Sequence, residues 1–206
     1  MDHIVVDIEI RKTIEETPGG WDATDQLGVS CAVTYEYRED RFRVWGEEHL
    51  PMLRHRLLSA DRITGYNIWK FDIPVIWGIG RNSEVTEQQH DVLKKLHPKT
   101  DDLLRRIWVS LGLDPNVFDN NPPPGKPAHS GWGLEKVCIG TLGVGKIGHG
   151  AEAPRLFQSG QWCSLINYCV DDVTLERDLC NFIDHYGFVV HGDTGQVVKI
   201  SREWRV

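Results

Sequence analysis

The alternation of apolar and polar side chains defines the first element of the chain. Within residues 3 to 10, "HIVVDIEI", one set of side chains is entirely apolar: Ile4, Val6, Ile8 and Ile10. The other set is mixed: His3, Val5, Asp7 and Glu9. A period of two is typical of a β-strand, because successive side chains point to opposite faces. We therefore predict a strand that carries two carboxylates on one face.

Further strands and loops follow from turn residues. "GVSCAVTYEY" and "RFRVW" flank the polar turn "RED", which indicates a β-hairpin. "RITGYN" predicts a short strand, and "FVVHGDTGQVVKI" predicts a closing hairpin with "GDTG" at its tip. Loops are predicted for the polar residues 11 to 27, for "DPNVFDNNPPPGKPAHSGWG" and for the Gly-rich "VGKIGHG".

The remaining segments favour helices. They are, in chain order, "EEHLPMLRHRLLSA", "KFDIPVIWGIG" with Pro74 in its first turn, residues 84 to 96, a helix capped by Asp101 and running through Leu111, "GLEKVCIGTLG" closed by Gly143, and residues 161 to 186. Three strands, a helix, a further strand and then mostly helices predict an α/β fold in which helices cover a mixed sheet. A length of 206 residues suits one domain over 1–206, with the hairpin at about 187–206 as an appendage.

Composition narrows the class of protein. The chain is 40% hydrophobic, which suits a globular core, yet no stretch is apolar and long enough to span a bilayer. The N-terminus lacks the pattern of a secretory signal, and five cysteines without a CxxC pair suit a reducing compartment. We expect a cytoplasmic protein with no membrane partner.

The net charge of −7 argues against a protein that coats nucleic acid generically, because such proteins neutralise phosphates with Lys and Arg. This argument weakens if some of the acids bind divalent ions, which reverse the local field. The positions of the acids therefore decide how the charge is interpreted.

Three segments place acids beside apolar residues. Asp7 and Glu9 share a strand face with Cβ atoms about 6–7 Å apart, although a solvated strand face explains this spacing alone equally well. Asp72 follows the predicted strand end near Asn67, where α/β folds place chemistry, although a carboxylate at a helix N-terminus is also common. The long helix turns Asp172 into a stripe that is otherwise apolar, with Tyr168 one turn before it.

An ionised acid turned inward is costly unless it is paired or binds a metal. A buried Tyr–Asp hydrogen bond or an arginine partner would satisfy Asp172 alone. Four clustered acids from three segments would instead repel one another strongly, and hard divalent cations with oxygen ligands relieve that repulsion. Two such ions roughly 3.5–4 Å apart support in-line phosphoryl displacement.

The same segments resemble a known family. "VVDIEI", "NIWKFD" and "YCVDD" resemble, in order, the three exonuclease motifs of the DEDD family of 3′–5′ exonucleases. The last motif, Tyr-x-x-x-Asp, marks the tyrosine subclass, DEDDy. The chain is similar in particular to the proofreading exonuclease domain of family-B DNA polymerases in stand-alone form. "GLEKVCIGTLGVGKIGHGAEAPRLF" also resembles the helix and Gly-rich loop that precede their third motif.

The resemblance covers about residues 3 to 186 and implies a ribonuclease H-like fold with two Mg²⁺ or Mn²⁺ ions. It implies that Asp7 bridges both ions, that Glu9 and Asp172 complete the ion on the nucleophile side, and that Asp72 serves the second ion through water. Glu9 would also lie near the terminal 3′ hydroxyl. Tyr168 would orient the attacking water, because an ordinary tyrosine, with a pKa of about 10, is a poor base at neutral pH.

Substrate contacts are expected from residues close to these motifs. They are Ile8, Asn67, Trp69, Lys70 and Lys146, with Arg155 and His149 as further phosphate contacts. Trp69 would stack on a terminal base, although core packing explains it as well, and a solvated surface explains the basic residues.

The expected activity is removal of nucleoside monophosphates from a DNA 3′ end, with single-stranded DNA or a DNA 3′ end as partner. An exoribonuclease of the same architecture, similar to ribonuclease D, stays open, because no residue identifies a reader of the 2′ hydroxyl. An inactive binding or assembly module is a third hypothesis, which the presence of all five motif residues disfavours. A related hypothesis is proofreading in trans, with a polymerase or helicase as partner.

Overall fold

The computed structural model describes residues 1–145 and 152–204. The strands of its main sheet are β1 (His3–Ile10), β2 (Val29–Glu36), β3 (Arg41–Gly46), β4 (Arg62–Gly65) and β5 (Thr100–Asp102). Their order across the sheet is β3-β2-β1-β4-β5. β2 is antiparallel to β1 and β3, whereas β1, β4 and β5 are parallel. This mixed sheet with flanking helices is a ribonuclease H-like α/β arrangement and confirms the predicted fold class.

Helices follow or connect the strands. They are α1 (Thr24–Leu27), α2 (Leu50–Ser59), α3 (Asp72–Trp77), α4 (Glu87–Leu96), α5 (Leu103–Ser110), α6 (Leu134–Leu142), α7 (Ala153–Gln158) and α8 (Trp162–Tyr186). Short 3₁₀ helices span Gly20–Asp22, Glu47–His49 and His97–Lys99. Within the two described ranges, no helix has both the length and the apolar character needed to cross a membrane.

Most predicted elements are present, with shifted ends. The hairpin of β2 and β3, the strand β4 and the long helix α8 are confirmed. The helix predicted from residue 70 begins two residues later, because Phe71 has a non-helical backbone. The helix predicted from residue 84 begins at Glu87, where the Thr86 hydroxyl caps it. The polar segment 11 to 27 is less irregular than expected, since it contains a 3₁₀ turn and α1.

One prediction near residue 100 was wrong, and one strand was missed. The strand β5 was not anticipated, because its sequence "TDD" has no apolar alternation. Asp102, and not Asp101, caps α5, where its carboxylate accepts from the amides of Leu104 and Arg105. Asp101 is instead fully buried, and it accepts from Arg62 of β4 at 2.5 Å. Its buried arginine partners allow this acidic segment to form an interior strand. The local sequence around β5 does not predict that pairing.

The central strand β1 is covered on both faces. Ile4, Val6 and Ile8 lie in the larger hydrophobic core, which includes residues of α2 and α3. Val5 points to the opposite face, where it packs with residues of α8 such as Val173. Asp7 and Glu9 share the face of Val5, because side chains alternate along a strand. The two carboxylates therefore point toward α8 and not toward bulk water.

The C-terminal hairpin packs onto the helices. Its strands are β6 (Phe188–Val190) and β7 (Val197–Lys199), which pair antiparallel as predicted. Val189, Val198 and Ile200 are buried in a second core cluster with residues of α5, α6 and α8. The appendage expected from the sequence thus shares a core with the helices that follow the sheet.

A buried ionic cluster joins four elements of the fold. Asp101 in β5 lies between Arg62 of β4 and Arg106 of α5, whose side chains are 5% and 1% exposed. Arg62 also reaches Asp184 of α8 at 2.6 Å. Removing one member of a buried cluster leaves an uncompensated charge, which costs more than an intact pair contributes.

We predict that Asp101→Asn lowers the free energy of unfolding by about 3–5 kcal/mol, because it leaves two buried guanidinium groups without their shared carboxylate. Urea denaturation followed by circular dichroism measures the change. Asp184→Asn is the matched control, since Asp184 is one-third exposed and should cost only about 1 kcal/mol. Equal losses for the two variants would contradict the central position of Asp101.

Gly140 tests the contact between α6 and the hairpin. A Cβ atom at Gly140 would lie 2.2 Å from the Val190 carbonyl oxygen, whereas one at Gly133 would meet nothing within 4 Å. We predict that Gly140→Ala destabilises the protein by about 1–3 kcal/mol, because backbone cannot move aside as a flexible side chain can. Gly133→Ala should cost less than about 1 kcal/mol in the same urea titration. Equal stability of the two variants would show that the hairpin does not dock on α6.

Candidate active site

β1 supplies two carboxylates at the centre of the sheet. Asp7 is half-buried, and Glu9 is buried. Asp7 is opposite Val33 and Glu9 is opposite Cys31 on β2, with an irregularity in the pairing between Glu9 and Ile10. β1 pairs with β4 only along its first three residues, so the backbone that carries Asp7 is held by its pairing with β2.

Asp72 joins the site from the first turn of α3. β4 ends at Gly65, so the amide of Ile8 lies beyond the last residue of β1 that β4 pairs. The Asp72 carboxylate accepts a hydrogen bond from that amide at 3.2 Å. It takes the place of the backbone acceptor that a longer β4 would supply. Asp72 is itself only 3% exposed. Its carboxylate therefore lies beside the peptide that joins Asp7 to Ile8.

α8 brings a phenol and a third carboxylate to the same place. Tyr168 and Asp172 are four residues apart on the helix and are 7% and 4% exposed. They confirm the predicted inward orientation of this stripe, because both line the cavity next to β1. Between them in sequence, Cys169 donates its thiol to Asp7, with its Sγ atom 3.6 Å from Oδ2. This contact fixes the register between α8 and β1.

The cavity between these elements has a volume of about 600 Å³. The predicted site residues that line it are Asp7, Ile8, Glu9, Asn67, Tyr168 and Asp172. Asp72 does not line the cavity, but its carboxylate accepts a hydrogen bond from the amide of Ile8, which does. The three segments singled out in the sequence thus meet at one cavity.

The walls of this cavity come largely from residues that sequence reasoning missed. The segment 11 to 27 supplies Thr13, Ile14, Glu15 and Trp21. Phe71 and the α7 residues Pro154 and Arg155 complete the lining. Arg155, expected as a phosphate contact, is exposed at the rim and adds a positive charge to an acidic cavity. An exposed tryptophan within a polar loop, Trp21, was the available sequence signal for this wall.

Asn67 is held by a buried carboxylate. Its backbone lies in the left-handed region, with φ of 62°, just beyond the end of β4. Asp102 accepts from the amides of Asn67 and Trp69 at 3.0 and 3.1 Å. Burial raises the pKa of Asp102 to about 6, although the hydrogen bonds that it accepts from backbone amides act in the opposite direction. Asp102 therefore both caps α5 and sets the conformation of the loop that carries Asn67.

Glu176 supports the same loop from α8. It is 1% exposed, and its carboxylate accepts from the amide of Tyr66 at 3.0 Å. Sequence reasoning missed Glu176, although it follows Asp172 by four residues and so lies on the same helix face. The segment from Tyr66 to Trp69 is thus held by one carboxylate from α8 and one from the start of α5.

Two of the expected substrate contacts, Trp69 and Lys70, do not line the carboxylate cavity. Trp69 packs against the larger core and meets the ring of His97 edge-on, which agrees with the packing alternative. Lys70 lines a separate cavity, with its Nζ atom 5.3 Å from the centre of the Trp108 ring. Lys146 and His149 lie outside the described residues.

The donor set suits a hard divalent cation. The ligand atoms of Asp7, Glu9 and Cys169 all lie within 4.8 Å of one another. Asp172 lines the same cavity, and Asp72 is hydrogen-bonded to the amide of Ile8 beside it. Carboxylate oxygens are the preferred ligands of Mg²⁺ and Mn²⁺. Burial, together with the charges of Asp7 and Glu9, raises the pKa of the Cys169 thiol, so Cys169 acts as a hydrogen-bond donor to Asp7.

Comparison with known proteins concerns the fold. No family model matches the chain, and none of the curated proteins matches its sequence. Among solved structures, the chain is similar to that of the family B DNA polymerase from the hyperthermophilic archaeon Pyrobaculum calidifontis, with a TM-score of 0.51 and 15% identity. The match covers 89% of this chain and 24% of the polymerase chain, so the chain spans about a quarter of that protein's length. The chain therefore shares its α/β fold with part of a DNA polymerase.

Proposed function

We propose that the protein is a metal-dependent 3′–5′ exonuclease that removes nucleoside monophosphates from the 3′ end of DNA. The observation that carries this proposal is the convergence of Asp7, Glu9, Tyr168 and Asp172 on one cavity between β1 and α8. Carboxylate oxygens are the preferred ligands of hard divalent cations, so the convergence of these acids favours a site that binds such ions.

The fold supports a nucleic acid as substrate. The solved structure to which the chain is similar is a DNA polymerase, and four of the five motif residues line one cavity of a ribonuclease H-like fold. We propose DNA over RNA on this basis. We also propose a polymerase or helicase as a partner acting in trans.

Four carboxylates would hold the ions: Asp7, Glu9 and Asp172 directly, and Asp72 beside the Ile8 amide. When bound, two Mg²⁺ or Mn²⁺ ions would activate the attacking water and stabilise the charge on the leaving oxygen. Arg155 at the rim would contact the strand's phosphates.

The reaction is a hydrolysis at the last phosphodiester. The oxygen of water bonds to the phosphorus of the terminal nucleotide, and the bond from that phosphorus to the 3′ oxygen of the preceding nucleotide breaks. The products are a nucleoside 5′-monophosphate and a strand shorter by one nucleotide with a free 3′ hydroxyl. Tyr168 would orient the water by a hydrogen bond, and Asn67 would hold the terminal nucleotide at the edge of the cavity.

Asp172 and Asp171 form a matched pair for testing the carboxylates. Asp172 is buried against the cavity, whereas Asp171 is half-exposed and absent from its lining. We predict that Asp172→Asn lowers kcat by more than about a hundredfold, because even residues behind a metal ligand cost up to that much. Asp171→Asn should keep wild-type activity. Asp7→Asn should be as inactive as Asp172→Asn.

The assay uses DNA and RNA strands of one sequence, labelled at the 5′ or the 3′ end, with Mg²⁺ or Mn²⁺. The expected result is a ladder of 5′-labelled DNA products and immediate release of the 3′ label as monophosphate. Faster cleavage of the RNA would change the proposal to an exoribonuclease. Activity that survives in purified Asp7→Asn would remove the carboxylates from the mechanism.

Tyr168→Phe separates orientation from proton abstraction. We predict that kcat falls by about ten- to a hundredfold, because the hydrogen bond that orients the water is lost. KM and the shape of the kcat–pH profile between pH 6 and 9 should not change, since an orienting hydroxyl does not titrate in that range. A lost alkaline or acidic limb in the variant would instead indicate that Tyr168 exchanges a proton.

A further inference from the structure

A second cavity of about 580 Å³ lies next to the carboxylate cavity. Its lining is mainly aromatic and basic, and comprises Trp21, Asn67, Lys70, Arg81, Leu104, Trp108, Phe118 and the residues 129 to 133. It contains none of the carboxylates of the first cavity. Its chemistry is therefore different, since it offers rings and cations where the first cavity offers acids.

The rings differ in exposure in a way that suits a binding surface. Trp108 and Trp132 are only 2% and 6% exposed, and the Trp108 indole donates to the His129 carbonyl, so these rings form a fixed floor. Phe118 and Trp21 are both 58% exposed. Phe118 lies 6.0 Å from the Trp108 ring centre on the long loop before α6. Two large rings thus remain open to solvent beside buried ones.

The cations of this cavity are available for an anion. Within the described residues, Lys70 forms no salt bridge, and Arg81 approaches Asp22 only at 3.9 Å. Burial, together with the nearby charges of Arg105 and Arg81, lowers the pKa of Lys70, whereas Asp102 and Asp114 act in the opposite direction. Lys70 and Arg81 give this cavity positive charge. This contrasts with the whole chain, whose net charge is −7.

The two cavities adjoin each other. Trp21 and Asn67 line both of them. Trp21 also lies 6.1 Å from the ring of Phe71, which lines the carboxylate cavity. A chain of nucleotides could therefore pass from one cavity to the other along Trp21, with its bases on rings and its phosphates near Lys70 and Arg81.

We propose that the second cavity binds unpaired nucleotides upstream of the 3′ end, with Phe118 as a stacking platform and Lys70 as a phosphate contact. The inference rests on the proposed function, because it assumes that the 3′ end occupies the carboxylate cavity. Stacking on Phe118 needs an open base face, so the site selects a strand with several unpaired nucleotides. Because Trp21 lines both cavities, one strand can occupy both, whereas a free mononucleotide needs only one. The shared wall therefore favours a strand as the ligand.

Calorimetric titration with a thymidine dinucleotide and hexanucleotide tests the length of the site, with Ca²⁺ replacing Mg²⁺ and a parallel set in EDTA. The dinucleotide reaches the carboxylate cavity alone, whereas the hexanucleotide reaches both. We expect the wild-type protein to bind the hexanucleotide at least about tenfold more tightly. Phe118→Ala should remove that gain, about tenfold, and leave dinucleotide binding unchanged.

Two variants control for indirect effects. Phe118→Tyr keeps the ring and should bind the hexanucleotide as the wild type does. Trp162→Ala removes an exposed ring from the start of α8, outside both cavities, and should also leave binding unchanged. Lys70→Gln should weaken hexanucleotide binding and reduce the slope of its salt dependence by about 0.7, as the loss of one phosphate contact predicts.

Each remaining outcome overturns the inference. Equal losses of dinucleotide and hexanucleotide binding in Phe118→Ala would mean that the ring acts on the first cavity. Tight binding of thymidine monophosphate that Phe118→Ala abolishes would assign the cavity to a free nucleotide. Unchanged hexanucleotide binding in Phe118→Ala would exclude the platform. Nuclease assays on the same preparations keep the proposed function separate, since length-dependent binding without cleavage would refute the exonuclease alone.

Discussion

The burial of several carboxylates between β1 and α8 is the constraint on which the candidate site depends. Each acid would lose solvation without return if it were simply enclosed. The structure supplies backbone and thiol donors: the Ile8 amide for Asp72, the Tyr66 amide for Glu176 and the Cys169 thiol for Asp7. These donors hold the acids in place. A divalent cation is the chemical complement of such an arrangement.

The rest of the fold keeps the two elements in register. Asp101 binds buried arginines from β4 and α5, and Arg62 in turn reaches α8. None of the residues of this cluster lines the carboxylate cavity, so the cluster anchors β4 without entering the site. Asp102, the next residue, holds the loop that follows β4. Two adjacent aspartates therefore have separate tasks: one anchors the sheet, and the other shapes the edge of the site.

The two cavities differ in lining, and we propose that one holds the reacting 3′ end and the other binds the rest of the strand. Carboxylates line the first, whereas rings and cations line the second, and Trp21 lies between them. The segment 11 to 27 thus contributes to both, although its sequence is polar and has no motif. Under the proposed function an acidic protein can still bind a polyanion, because Lys70 and Arg81 place positive charge in the second cavity and divalent ions would neutralise the buried acids.

The sequence by itself determined the parts that depend on local periodicity. Alternation predicted β1 with Asp7 and Glu9 on one face, and helical spacing predicted that Tyr168 and Asp172 share the inward stripe of α8. It did not reveal β5, the contact of Trp69 with His97, or the walls from Trp21 and Phe118, because these depend on residues distant along the chain. Only the tertiary structure showed that Asp101 of β5 is buried against Arg62 and Arg106. It also showed that Lys70, an expected substrate contact, lines the second cavity. Periodicity assigns a side chain to a face, whereas packing alone decides what that face meets.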